Sequence, residues 1–157
     1  MAFDETDAAF MRLALAEAQL ALLSADVPIG AVAVLHGEVI GRGHNQRETH
    51  HDPTAHAEMI AIRQAAQHIG HWRLEEVTLY CTLEPCTMCA GAMVLARLPR
   101  LIYAAGDPKA GMGGSLLNLL EYPPLNHHVK VERGLLAEEA AELIRAFFRQ
   151  LRAEGQK

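Results

Sequence analysis

The sequence predicts an α/β fold, a three-layer α/β/α sandwich around a mixed five-stranded sheet. Three observations carry that expectation. Runs with helical spacing alternate with short apolar runs of strand length, so the helices pack against the faces of one sheet. The first two strand-like runs are separated only by His36-Gly37, which makes them an antiparallel hairpin. The next two enclose a helical run, the order of a parallel crossover unit. At 157 residues and 50% hydrophobic content, the chain is expected to form a single domain, 1–157. A domain of that size buries about two-thirds of its unfolded surface.

Thr6 or Asp7 can cap a first helix, because Phe10, Leu13, Ala14, Ala18 and Leu22 recur at helical spacing to about Leu23. After Pro28, Ile29 to Leu35 is almost wholly apolar and reads as a strand buried on both faces. Glu38 to Gly43 is more polar and returns as the edge of the sheet. Residues 44–55, rich in His, Asn and Asp, read as a loop, where functional groups concentrate. Ala57 to His68 is the second helix, and Gly70 and Trp72 mark its exit. Val77 to Thr82, a cysteine-bearing helix and Leu101 to Ala105 form the crossover unit. A long glycine-rich loop, 106–115, reads as a flexible rim. Val129 to Glu132 is a short fifth strand, and Ala137 to Leu151 a closing amphipathic helix.

Composition excludes some functions. No apolar run approaches the roughly 20 residues of a membrane span, and Met1-Ala2-Phe3-Asp4-Glu5 lacks the basic patch of a secretory leader. Three cysteines fit a reducing cytoplasm. A net charge of −5 argues against general attraction to nucleic acid, so an RNA partner needs a local basic patch.

The chemistry sits in two segments. Cys86-x-x-Cys89 follows Pro85 and enters an Ala/Met-rich run, which puts two thiols on one face of a helix's first turn. His56 stands at the head of the second helix, so two helix starts can converge on one ion and leave a tetrahedral position for water. Three protein ligands with an open position indicate a catalytic zinc. Glu58, two residues after His56, can reach that water without being a ligand and reads as the proton shuttle.

The pattern H-x-E followed by P-C-x-x-C is the established signature of zinc deaminases. Beyond it, the chain closely resembles the bacterial tRNA-specific adenosine deaminases. The matching segments are Val27-Pro28-Ile29-Gly30-Ala31-Val32, Gly43-His44-Asn45, 52–58, 82–92, Asp107-Pro108-Lys109, Asn126-His127 and Phe147-Phe148-Arg149. The resemblance implies a cytidine-deaminase-like fold with one zinc per subunit. It implies hydrolytic deamination of the wobble adenosine to inosine in a tRNA anticodon loop. It also implies a homodimer in which each active site borders the neighbouring subunit. Substrate contacts are implied for Ile29, Asn45, Ala57, Pro85, Asp107, Lys109, Asn126, His127 and Phe148. Three departures stand out: Asp26 where glutamate is usual, His44 where an aromatic is common, and a tail, 153–157, without a basic extension. The last leads us to expect a weaker hold on RNA outside the anticodon.

Each reading has a rival. A lone C-x-x-C can be a redox pair, but His56, Glu58 and Pro85 favour the metal. Cys81 lies in a strand and reads as a small buried hydrophobe. Asn45 can stabilise a turn or hydrogen-bond a base edge. Asp107 can cap the turn before Pro108 or accept a hydrogen bond from a ribose 2′-hydroxyl. Arg97, Arg100, Arg145, Arg149 and Arg152 read mainly as a solvated face. Gly111-Met112-Gly113-Gly114-Ser115 lacks the Gly-Lys-Ser/Thr of a phosphate loop. At the level of function, a small-molecule deaminase of guanine, cytosine or a nucleoside and a non-catalytic zinc module remain alternatives to tRNA editing. Glu58 argues against the second, since a structural zinc needs no proton carrier.

Overall fold

The computed structural model describes residues 3–155. Met1, Ala2, Gln156 and Lys157, on which the expectations about the leader and the tail partly fall, lie outside the described residues. Helix α1 (Glu5–Ala21) begins one turn earlier than expected. Its cap is Asp4, whose Oδ1 accepts the Asp7 N–H at 2.7 Å while Asp7 Oδ2 accepts the Asp4 N–H at 3.4 Å. This reciprocal capping box uses an aspartate where Glu or Gln is usual, so the pattern was not readable from the usual motif. Strands β1 (Gly30–Leu35) and β2 (Glu38–His44) form the hairpin, with a bulge between Ala33 and Val34. One helical turn, α2 (Arg47–His50), lies inside the stretch read as a loop. Then follow α3 (Ala57–Ile69), β3 (Val77–Leu83), α4 (Thr87–Leu95), β4 (Arg100–Ala105), β5 (Lys130–Arg133) and α5 (Ala137–Ala153).

The strand order is β2-β1-β3-β4-β5. Strand β1 pairs antiparallel with β2 and β3, whereas β3, β4 and β5 run parallel, so the sheet is mixed as the sequence implied. Side chains alternate across it. Ala31, Ala33, Leu79, Cys81, Leu101 and Tyr103 meet α3 and α4 through Ala61, Ala65, Ala90 and Met93. Val32, Val34, Tyr80 and Ile102 face the other layer, where Met11 and Ala14 of α1 and Ala140 of α5 pack. Helix α3 lies directly on β2, because a Cβ at Gly43 would stand 2.2 Å from the Ala57 carbonyl oxygen. That close approach fixes where α3 begins, and with it His56.

Arg100 is not on the solvated face expected of it. Its Nε donates to Glu132 Oε1 at 2.6 Å, and Nη1 and Nη2 donate to the two Asp7 oxygens at 3.3 Å each. Tyr80 Oη donates to Asp7 Oδ1 at 2.7 Å. Asp7, Tyr80 and Glu132 are all buried. Burial alone would raise the Asp7 carboxyl, but the bonds from Tyr80 and Arg100 outweigh it and hold the group below its ordinary 3.8. Among the described residues, no helix is long and apolar enough to cross a membrane.

Candidate active site

Two helix starts converge at one end of the sheet. His56 precedes the first residue of α3 in extended backbone, and Cys86 precedes the first residue of α4 in the same conformation. Cys89 is the third residue of α4. The partial positive charge of both helix ends therefore points toward one cluster, where it favours thiolate and carboxylate. His56 Nδ1 lies 3.6 Å from Sγ of Cys86 and 3.6 Å from Sγ of Cys89. The three ligand atoms fall within 4.8 Å of one another, close enough to hold one metal ion. The Cys86 thiol is pushed down to about 3 by the hydrogen bond from Cys89, with His56 adding to it. Cys89, sharing that contact and buried, is pushed up. Contact with Cys86 raises the His56 imidazole against the effect of burial.

Glu58, on the first turn of α3, is 4% exposed. Burial pushes its carboxyl up to about 7, against the opposing pull of its own backbone N–H and of His56. It is outside the metal-ligand group yet lines the same cavity, as a proton carrier must. Cys81 is fully buried beneath the cluster, and burial with the nearby Glu58 charge keeps its thiol high, as a small hydrophobe's should be.

The cavity above this cluster holds about 710 Å³. His56, Glu58 and Cys86 form its floor, and Ile29, Asn45 and Ala57 one wall. Asp107 and Lys109 stand on the rim, and Phe148 of α5 closes another side. Asn45 is buried, and its Oδ1 accepts the Arg47 N–H at 3.3 Å, so its turn-forming role is present in the structure. Asp107 likewise closes its own turn, with Oδ1 accepting from the backbone of Lys109 at 3.0 Å and of Ala110 at 3.2 Å.

Three expected residues do not line the cavity. Pro85 is buried, its carbonyl accepting the Met112 N–H at 2.9 Å. Asn126 is exposed, and His127 Nε2 sits 2.7 Å from the Leu98 carbonyl oxygen, past the far end of α4. That point is at the end of α4 opposite the one that carries Cys86 and Cys89.

Other lining residues were missed. Arg47 lies two positions after Asn45, inside the loop already marked as functional, and neither Arg47 nor Lys109 joins an ion pair among the described residues. Arg145 also lines the cavity but is held by Glu138 and Glu142. The 106–115 loop is tied down, contrary to the flexible rim expected. Its backbone bonds to the buried Glu84 carboxylate, which the loop's N–H groups and the Ser115 hydroxyl hold below the usual range although burial opposes them.

Comparisons with known proteins agree with this geometry. The family model of the MafB19-like deaminases matches residues 5–152. The tRNA-specific adenosine deaminase of Bacillus subtilis (strain 168) is 50% identical over 146 residues, 93% of this chain and 91% of that one. The tRNA-specific adenosine deaminase of Aquifex aeolicus (strain VF5) is 48% identical over 143 residues, 91% of this chain and 94% of its own. A solved structure from work on A-to-I editing by tRNA:A34 deaminases at the wobble position of transfer RNA superposes with a TM-score of 0.82. It is 47% identical and covers 86% of this chain and 98% of its own. A guanine deaminase from Nitrosomonas europaea shares the fold at a TM-score of 0.78 and 24% identity, over 89% of this chain and 83% of its own. The architecture is cytidine-deaminase-like, and the chain belongs to the family of tRNA-specific adenosine deaminases.

Proposed function

We propose that this protein hydrolyses the wobble adenosine of a tRNA anticodon loop to inosine and ammonia, with zinc at His56, Cys86 and Cys89. The observation that carries the reading is the convergence of those three ligands, of which His56 and Cys86 line one cavity together with buried Glu58. The donor set fits zinc. With bonds of about 2.3 Å to sulfur and about 2.0–2.1 Å to nitrogen, a tetrahedral ion sets those ligands about 3.6 Å apart, the separation His56 keeps from both thiols. When bound, zinc supplies Lewis acidity that makes water a nucleophile at neutral pH.

Glu58 accepts the proton of the attacking water and delivers it to the adenine ring nitrogen as the water oxygen bonds the carbon bearing the amino group. It then takes the remaining proton from the newly bonded oxygen and passes it to the departing amine, which leaves as ammonia while the carbon keeps that oxygen as the carbonyl of inosine. Asn45, with its amide hydrogens, can meet the base edge, and Arg47 and Lys109 offer unpaired cations to phosphate on a chain that is otherwise acidic. Ile29, Ala57 and Phe148 provide apolar walls for the base and its neighbours. The three free cysteines fit a reducing compartment, which we take to be the cytoplasm.

The test is ammonia release from an anticodon stem-loop with adenosine at the wobble position, measured beside free adenosine, cytidine and guanine. We expect turnover of the stem-loop to dominate. Faster release from a free base or nucleoside would make this a small-molecule deaminase instead.

We further infer that the working unit is a homodimer paired through α4. Met88 and Ala92 on its outer face are only half-buried, and Leu95 is 70% exposed, an apolar stripe on a helix that the sheet covers on one side only. Two such helices running antiparallel would bring Asn126 and His127 of one copy toward the metal end of the other. That arrangement would account for their distance from the cavity of their own chain. Light scattering at micromolar concentration should give a dimer mass, and a monomer mass would count against this pairing.

Asp107 provides a sharper expectation. With Oδ1 occupied by the turn, its remaining carboxylate capacity is available at the rim to a ribose 2′-hydroxyl next to the target. One charge-assisted bond contributes roughly 1.5–3 kcal/mol, about tenfold or more in preference. An anticodon loop with ribose at the flanking nucleotide should therefore be favoured over one with deoxyribose there, and Asp107→Asn should shrink that preference. Equal preference in both proteins would leave Asp107 as a turn residue only.

A further inference from the structure

Glu84 is a buried carboxylate that the chemistry above does not use. It follows β3 directly and stands two residues before Cys86, and it is 2% exposed. Its backbone N–H donates to the Ala105 carbonyl at 2.8 Å, which extends the pairing of β3 with β4. Its side chain turns to the 106–115 loop. Oε1 accepts the Asp107 N–H at 2.9 Å and the Ser115 hydroxyl, and Oε2 accepts the N–H groups of Gly113 at 2.8 Å and Ser115 at 3.0 Å. All four partners are donors. A carboxylate can satisfy them, whereas an amide of the same shape would turn its NH2 toward two of them. The loop is shaped to that carboxylate, since a Cβ at Gly111 would lie 2.2 Å from Glu84 Cδ. The same loop is pinned next door by the Met112 N–H donating to the Pro85 carbonyl.

The far side of this clamp is the substrate rim. The Asp107 N–H held by Glu84 starts the turn that Asp107 Oδ1 closes onto Lys109 and Ala110, and both Asp107 and Lys109 line the cavity. We infer that Glu84 is a positioning residue: it locks the Asp107–Ala110 rim in register with Cys86 and thereby sets how tightly the RNA loop is held. This rests on the reading of the cavity as the site of an RNA-deaminating enzyme. Glu84 touches no reacting atom in that reading, so its loss should appear in binding of the RNA and not in the chemical step.

The experiment compares steady-state kinetics on the anticodon stem-loop for the zinc-loaded parent, Glu84→Gln, Ser115→Ala, Asp107→Asn and the Glu84→Gln/Asp107→Asn pair. Glu84→Gln should raise KM by about tenfold or more with kcat within about threefold, and zinc per chain should stay that of the parent. Ser115→Ala removes one of the four bonds and should raise KM by about threefold. Because Glu84 acts through the rim, its effect and that of Asp107→Asn should not add in the double variant. An unchanged KM in folded Glu84→Gln, a loss of kcat together with zinc, or full additivity would overturn the inference. If Glu84→Gln does not fold, Ser115→Ala decides it, and a parental KM there overturns it. A parent that deaminates the stem-loop while Glu84→Gln keeps its KM sinks this inference alone; a parent inactive on the stem-loop sinks the functional reading with it.

Discussion

Replacing Glu58 with glutamine is expected to lower kcat by about 10²-fold to 10⁴-fold while zinc per chain and stem-loop affinity stay those of the parent. The amide has the shape of the carboxylate, so the buried start of α3 keeps its packing. What disappears is the ability to accept a proton and return it, which the reaction requires twice. Metal retention follows from the geometry, because the ligand group is complete with His56, Cys86 and Cys89. Cys86→Ala provides the contrast. It removes one of three ligands and should lose the metal outright, taking activity with it. Zinc measured per folded chain beside single-turnover rates separates the two variants. If Glu58→Gln also lost zinc, Glu58 would be a ligand and the proton-shuttle role would be wrong.

Why these four residues were readable and others were not is a matter of sequence distance. His56 and Glu58 share one helix start, and Cys86 and Cys89 another, so local spacing already fixes each pair in space. The sheet was readable for a similar reason: the short His36-Gly37 turn and the helical crossover between β3 and β4 leave few arrangements. Arg100 is different. Its partner Asp7 is 93 residues away, and only the packing of α1 over the sheet brings them together. Glu84 reads as part of the cysteine motif, and nothing local announces that donors 23 to 31 residues later will close on it. Arg47 reaches the cavity because Asp26 holds α2, accepting the Glu48 N–H at 2.8 Å and the Thr49 hydroxyl at 2.7 Å. Asn126 and His127, placed by resemblance, sit where one chain's geometry gives them no route to the cavity.

Arg100→Leu is expected to destabilise the fold by about 3 kcal/mol, roughly a hundredfold in the folding equilibrium. The guanidinium bridges two buried carboxylates, Asp7 on α1 and Glu132 on β5. Removing it strands both in a region where Leu can make no hydrogen bond. Arg100 is 30% exposed, so water relieves part of the penalty, and the lower end of the range for a broken buried pair applies. The loss should depend on pH in a defined direction. Asp7 is held below its ordinary 3.8 in the folded protein, so its contribution is present above that value and is lost as pH falls through the lower folded value. Without Arg100 one of the two main interactions that lower it is gone. The stability gap between parent and variant is therefore full near neutrality and narrows below about pH 4. Asp7→Asn should cost less, since the amide still accepts from Tyr80, and it should show a flatter acid dependence. Urea unfolding of zinc-loaded parent and variants at pH 7 and pH 3.5 measures this. The network lies on the α1 side of the sheet, opposite the metal ligands, so acid effects on the metal site enter parent and variant alike and cancel in the difference. A gap that stays constant across that range would mean that Arg100 stabilises by packing its aliphatic stem, not by pairing with Asp7.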